Sequence, residues 1–108
     1  MAQSVALAWT NPVDEASDKE YNAWYASTHI PQVMAHVPGV TGARRYRLVD
    51  MPGAGGPPAY RYVCIWEIDT DAASVAAGLQ AAAAAGKLDM TPAIDPAGQV
   101  QWFEPVEE

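Results

Sequence analysis

The stretch Tyr60–Asp69, YRYVCIWEID, is the most strand-like in the sequence. Aromatic and β-branched residues dominate it, and these pack well on a pleated surface. Side chains alternate along a strand, so Tyr60, Tyr62, Cys64, Trp66 and Ile68 share one face, and Val63 and Ile65 lie on the other. Both faces are apolar. A sheet built on this strand therefore has two sides to cover.

Before the strand, Met51 to Ala59 (MPGAGGPPA) holds three glycines and three prolines and reads as a loop. Val40 to Asp50 (VTGARRYRLVD) reads as another strand. After the central strand, Thr70 or Asp71 can cap a helix over Ala72–Ala85, with Gly86 suited to its C-terminal stop. That helix is nearly all alanine; only Val75 and Leu79 are bulkier and apolar. Alanine gives helix propensity and close packing. Lys87 to Gly98 contains Pro92 and Pro96 and should be irregular; with Met51–Ala59 it is expected to be the most mobile part between the termini. Gln99 to Val106 supplies a last, edge-like strand.

Near the start, Ser4–Thr10 (SVALAWT) puts Val5, Leu7 and Trp9 on one face and is closed by Asn11-Pro12. Ser17-Asp18-Lys19-Glu20 has capping-box form, so a helix should begin near Asp18. Asp14, Glu15 and Asp18 add negative charge where the helix dipole favours it. Pro31 lacks a backbone N–H and disfavours helix at the residue before it. A break is expected at His29-Ile30, then a short helical piece from Pro31 to Val37, stopped by Pro38-Gly39.

The order is β-α-β-β-α-β, a ferredoxin-like α+β arrangement over one domain, residues 1–108. Right-handed crossovers put both helices on one face of a four-stranded antiparallel sheet. The other face would leave an apolar patch too large for a monomer, and a second copy stacked sheet to sheet would cover it. A homodimer is the expectation.

The chain has 13 acidic and 6 basic residues among 108, a net charge of -7. Nucleic acid and anionic membrane surfaces are poor partners, since both need a basic face. No apolar run approaches the roughly 20 residues of a membrane helix. Met1–Thr10 carries no charge pattern of a secretory signal. One cysteine, Cys64, and two histidines give neither a disulfide framework nor a zinc set, and fit a reducing cytoplasm. No glycine loop of phosphate-binding form is present, so no nucleotide is implied.

The first helix carries Tyr21, Asn22, Trp24, Tyr25, Thr28 and His29. Tyr21, Tyr25 and His29 are spaced by four and form a stripe. A histidine beside two tyrosines at a helix end suits proton transfer, with His29 as acid or base and Tyr21 or Tyr25 orienting it or donating to an oxyanion. It equally suits a packed or capping residue. His36 reads as a surface or packing residue. Of the arginines, Arg45 and Arg47 share one face of their strand, and Arg44 shares the other with Tyr46. They can pair across strands with Glu67, Asp69 or Asp50, or one can grip a substrate carboxylate or enolate. Trp9, Tyr46, Tyr62, Trp66 and Trp102 are core or dimer contacts, some of which can line a pocket for a flat apolar ligand. Trp9, Trp24, Arg44, Tyr46 and Trp66 are taken as substrate-binding. Cys64 reads as an inert buried thiol.

The run Glu20-Tyr21-Asn22-Ala23-Trp24-Tyr25-Ala26-Ser27-Thr28-His29-Ile30-Pro31 resembles the helix signature of EthD-like proteins of the dimeric α+β barrel superfamily. Pro38-Gly39-Val40 and Ala43-Arg44-Arg45-Tyr46 resemble that family's turn into an arginine-bearing strand. The resemblance implies a homodimer of ferredoxin-like subunits, a pocket between sheet and helices, and His29 facing it. It also implies a range of chemistries: lactone isomerases, polyketide cyclases, decarboxylating or dehydrating enzymes and cofactor-free monooxygenases. The haem-degrading branch uses an Asn-Trp-His set. Asn11 and Trp66 can stand in two of those places, but no histidine follows Trp66. The combined expectation is a cofactor-independent isomerase, cyclase or lyase-type enzyme acting on a cyclic or aromatic molecule, without metal. A cofactor-free monooxygenase and a non-catalytic binding protein are the alternatives.

Overall fold

The computed structural model describes residues 3–53 and 59–107. Four strands form one antiparallel sheet: β1 (Ser4–Thr10), β2 (Val40–Arg47), β3 (Tyr62–Ile68) and β4 (Gln99–Phe103), in the order β2-β3-β1-β4. This is the ferredoxin-like α+β arrangement that the element order predicts. The core of the Met51–Ala59 loop, residues 54–58, lies outside the described residues.

β3 is central, and its alternation is complete: Tyr62, Cys64, Trp66 and Ile68 are buried, while Val63, Ile65 and Glu67 are only partly covered. The buried face lies under the helices. Across it, Ala6 and Ala8 of β1 pair with Trp66 and Cys64. The small residues of β1 thus face the helices, and Val5, Leu7 and Trp9 face the open side. Packing small side chains opposite Trp66 leaves room between sheet and helices.

The first helical segment departs from expectation at both ends of its first half. A 3₁₀ turn, Glu15–Ser17, precedes α1 (Asp18–Trp24). Its cap is Asp14, whose Oδ1 accepts the Ser17 N–H at 2.8 Å; the Ser17 side chain caps nothing. An Asp-x-x-Ser turn therefore takes the role assigned to the Ser17-Glu20 box, because starting one turn earlier satisfies the orphan N–H of Ser17 itself.

The break at His29-Ile30 does not occur. Tyr25–His29 forms a π-helical turn, and α2 (Ile30–His36) continues from it with helical backbone at Ile30. The Ile30 N–H bonds to the Tyr25 carbonyl, five residues back. In a regular α register the Pro31 ring would collide with the carbonyl four residues earlier. The wider π turn removes that collision and keeps one continuous helical path, a known use of π-bulges. His29 consequently sits inside a helix and not at its terminus.

Gly39, in the turn between α2 and β2, has φ 94°, and a Cβ there would run into the Thr70 side chain. α3 (Ala72–Ala84) is capped by Asp71, whose carboxylate accepts the Ser74 N–H at 2.9 Å. Val75 and Ala82 are its buried residues. The connection from α3 to β4 is irregular, as predicted, but it is tied down. Trp24 Nε1–H donates to the Asp89 carbonyl at 2.8 Å, Gln32 and Asp89 exchange two hydrogen bonds, and the Val13 N–H donates to the Ala93 carbonyl at 2.6 Å. These anchors oppose the mobility expected of it from sequence. Among the described residues no helix is long and apolar enough to cross a membrane.

Candidate functional site

The stripe Tyr21-Tyr25-His29 lies against the buried sheet face. His29 is held by rings alone. Trp24 stacks on it at 4.6 Å with 17° between planes, and Tyr25 and Trp66 meet it edge-on at 5.1 and 5.7 Å. Its Nδ1 is buried and has no hydrogen-bond partner among the described residues. Burial lowers its pKa from 6.5 to about 4, so the imidazole is neutral at pH 7.

His29 lines a cavity of about 180 Å³ between the helices and the sheet. Ala6, Ala8, Trp66 and Trp102 form the sheet side, and Val33, Val75 and Leu79 the helix side. The alanine content of β1 and α3 is what leaves this space open: larger residues at Ala6 and Ala8 would fill it. Val100 also lines it and is 52% exposed, so the mouth opens at the β4 edge. Among the described residues His29 is the one titratable side chain in the wall.

A larger cleft, about 620 Å³, lies elsewhere and does not include His29. Asn11, Asp14, Asp18, Arg47, Arg61 and Tyr62 are among its walls, and it is open to solvent. There the Tyr62 hydroxyl donates to Asp18 Oδ1 at 2.6 Å and accepts from Asn22 Nδ2 at 3.2 Å. Its polar groups are thus already partnered in part, and its width favours water over a desolvated ligand.

The tyrosines of the stripe do not hydrogen-bond to His29 in the described structure. The Tyr21 hydroxyl shares a short hydrogen bond with Thr10 Oγ1. Tyr21 is fully buried, which raises its pKa above 10, with the Thr10 bond and the Arg45 charge pulling the other way. Burial raises Tyr25 strongly as well, and its phenol turns to the Cys64 thiol. Burial lifts that thiol to about 12, in keeping with an inert cysteine. Tyr25 therefore orients His29 by packing, edge to face.

The substrate-binding set divides. Trp24 and Trp66 surround His29. Trp9, Arg44 and Tyr46 lie on the open face of the sheet; Trp9 Nε1–H donates to Gln101 and its ring meets Tyr60 at 6.5 Å. Trp9 follows from the alternation of β1; for Arg44 and Tyr46 the cause is a bulge in β2. Val40 pairs with Ile68 and Gly42 with Glu67, so Thr41 is an extra residue. One inserted residue flips the side-chain alternation. Val40 faces inward, yet beyond the bulge the inward residues are Ala43, Arg45 and Arg47. The same register sets Glu67 opposite Gly42, not opposite an arginine.

Of the arginines, the substrate-binding set held Arg44, whereas the one beside the tyrosine stripe is Arg45. Its guanidinium lies 4.2 Å from the Tyr25 ring centroid and 5.2 Å from those of Tyr21 and Tyr62. Its Nε and Nη2 are buried without a partner among the described residues. The signal was available in its parity with Arg47 and the aromatic face of β3, but only the bulge says which parity points inward. His36 is exposed, as expected.

Fold and site together define a class: a ferredoxin-like α+β subunit with a ligand-sized apolar cavity between sheet and helices. No family model matches the chain, and no curated protein matches it in sequence. Solved structures match its fold. It is similar to an EthD-like protein from Ralstonia eutropha JMP134, at 21% identity and TM-score 0.57, over 94% of this chain and 92% of that one. It is similar to a dimeric ferredoxin-like protein of unknown function from Jannaschia sp. CCS1, at 19% identity and TM-score 0.60, over 96% and 100%. It is also similar to a protein from Shewanella loihica PV-4 provisionally described as a monooxygenase, at 16% identity and TM-score 0.61, over 100% and 99%. The chain has the fold of EthD-like, ferredoxin-like proteins, as its helix signature led us to expect.

Proposed function

We propose that this chain is a small cofactor-independent enzyme that moves a proton to or from a cyclic or aromatic molecule held under His29, in chemistry of isomerase, cyclase or lyase type. One observation carries this: among the described residues His29 is the only titratable wall of an apolar cavity, and no described side chain hydrogen-bonds to its imidazole. A neutral imidazole has one lone-pair nitrogen free to accept a proton. An empty apolar cavity disfavours the imidazolium. A substrate that leaves an enolate or phenolate beside it supplies the opposite charge, which brings proton transfer within reach. Tyr25 keeps its proton and acts as a positioning residue, and Trp24 fixes the plane of the ring. Trp66 and Trp102 offer flat surfaces for a ring-bearing ligand.

The test is turnover of His29→Ala on a substrate found by screening cyclic enolisable compounds. A general acid–base residue contributes roughly 10²-fold or more. The variant should lose that factor while keeping its fold. Undiminished turnover would remove His29 from the mechanism.

A second reading is a cofactor-free monooxygenase, supported by the provisional description of the Shewanella relative. The same neutral base could deprotonate an electron-rich quinol that then reacts with oxygen itself. Oxygen uptake with a quinol separates the two.

We also infer that the working unit is a homodimer paired through the open sheet face. Val5, Leu7, Trp9, Val63 and Ile65 make that face apolar, and Tyr46 and Phe103 extend it at 49% and 48% exposure. A patch of this kind calls for cover.

A further inference from the structure

We propose that the cavity under His29 selects an uncharged, single-ring molecule bearing one phenol- or enol-type hydroxyl, and rejects the corresponding carboxylate; this deepens, and rests on, the reading of that cavity as the active site. Size sets the first limit. The cavity holds about 180 Å³, and an apolar cavity of about 150 Å³ is known to take one benzene ring. A second fused ring would have to leave through the mouth at Val100.

Charge sets the second limit. Among the described residues the wall contains aliphatic and aromatic side chains and His29, and no Asp, Glu, Lys or Arg. Arg45, whose guanidinium is partly buried over the rings of Tyr25, Tyr21 and Tyr62, does not line the cavity. An ionised carboxylate entering here would lose its water and meet no cation. The chain's net charge of -7 opposes it further.

Hydrogen bonding sets the third. His29 lines the cavity with rings on three sides, and its Nδ1 is shut in among them without a partner among the described residues, which leaves Nε2 as the nitrogen that meets a ligand. A ligand hydroxyl is the group that can engage such an imidazole. A hydrocarbon of the same shape leaves it unpaired, and an unpaired buried polar group is where discrimination arises.

Four probes test this on the full chain by calorimetric titration: phenol, toluene, benzoate and 2-naphthol. Phenol should bind at least about tenfold tighter than toluene, and benzoate and 2-naphthol at least about tenfold weaker than phenol. In His29→Phe, which keeps an aromatic ring between Trp24 and Trp66, the preference for phenol over toluene should vanish while toluene still binds. Leu79→Trp, which fills the cavity from α3, should abolish binding of phenol with His29 intact. Benzoate binding as well as phenol, 2-naphthol binding tighter, phenol preference surviving in His29→Phe, or no binding by any probe would each overturn the proposal. Selective phenol binding with no turnover of any enolisable compound sustains this inference and sinks the enzymatic reading. Turnover of an anionic substrate that His29→Ala abolishes does the reverse.

Discussion

The imidazole of His29 lies nearly parallel to the indole of Trp24, with 4.6 Å between ring centroids and 17° between planes. Trp66 and Tyr25 close two more sides edge-on. Stacking of this kind substitutes ring faces for water around a titratable group, which is why its pKa falls to about 4. The unfolded chain titrates this histidine near 6.5, so between those values it binds more protons than the folded one. Stability therefore rises with pH through that window and is lost as pH falls from 7 towards 4. Acidification from pH 7 to 5 should cost the native chain about 2 kcal/mol more than it costs His29→Phe, since one pKa unit is about 1.4 kcal/mol. Urea denaturation of both proteins at the two pH values measures it. Carboxylates and His36 contribute alike to both and cancel. Equal losses would mean that His29 is hydrated.

The cap at the first helix gives a second prediction. Asp14, not Ser17, accepts the backbone N–H at the helix start. Asp14→Ala should lower stability by about 1 kcal/mol, the usual cost of losing a side-chain cap, whereas Ser17→Ala should stay within about 0.5 kcal/mol. Thermal melts of the two variants side by side would expose the reverse order if the capping box were the working element.

The fold was legible because hydrophobic alternation and turn residues agree along the whole chain. β1 has the boundaries read from SVALAWT, and β3 and α3 differ from expectation only at their ends. The His29 stripe was legible too, since spacing by four survives a single π turn. Three features were not. A π turn leaves no composition mark beyond Pro31 itself, so proline read as a break. The Asp14 cap and the Ser17 box are both good sequence patterns, and only geometry ranks them. The bulge at Thr41 reverses which arginine faces inward, and nothing in VTGARRYR beyond its glycine announces an extra residue.

Arg45 offers a prediction that follows from two opposing terms. Buried donors without partners cost about 1–3 kcal/mol. A desolvated cation over an aromatic face returns about 2 kcal/mol, and Arg45 lies 4.2 Å from the Tyr25 centroid. Two such donors are set against contacts with three rings, which leaves a small balance. Arg45→Met, with a similar apolar stem, should change stability by less than about 1 kcal/mol, while Arg45→Glu, which sets an anion against ring faces, should lose at least about 2 kcal/mol. Chemical denaturation resolves both. A loss above about 3 kcal/mol for Arg45→Met would show that the guanidinium has a partner which its ring contacts do not explain.

The open sheet face carries the last prediction. Ile65 stands at its middle, paired with Leu7 on one side and Arg44 on the other, and its side chain points away from the helices. If two copies meet there, Ile65 is deep in the interface, and an aspartate in its place would take a carboxylate and its cross-strand neighbour Arg44 out of water, a desolvation cost that their mutual attraction does not reliably offset. A stable interface of this sort buries about 1,200–2,000 Å². The unmodified chain should sediment at twice the chain mass near 10 μM, a concentration on the order of those where standard-size interfaces hold together. Ile65→Asp should sediment as a monomer. Its far-UV circular dichroism should not change, because the residues beneath the helices are on the opposite side of β3. Phenol binding under His29 should likewise persist in the monomer, for the described wall residues lie on the helix side of the sheet and Ile65 lies on the other. A monomeric native chain, or an Ile65→Asp chain still at twice the mass, would place any association on a different surface.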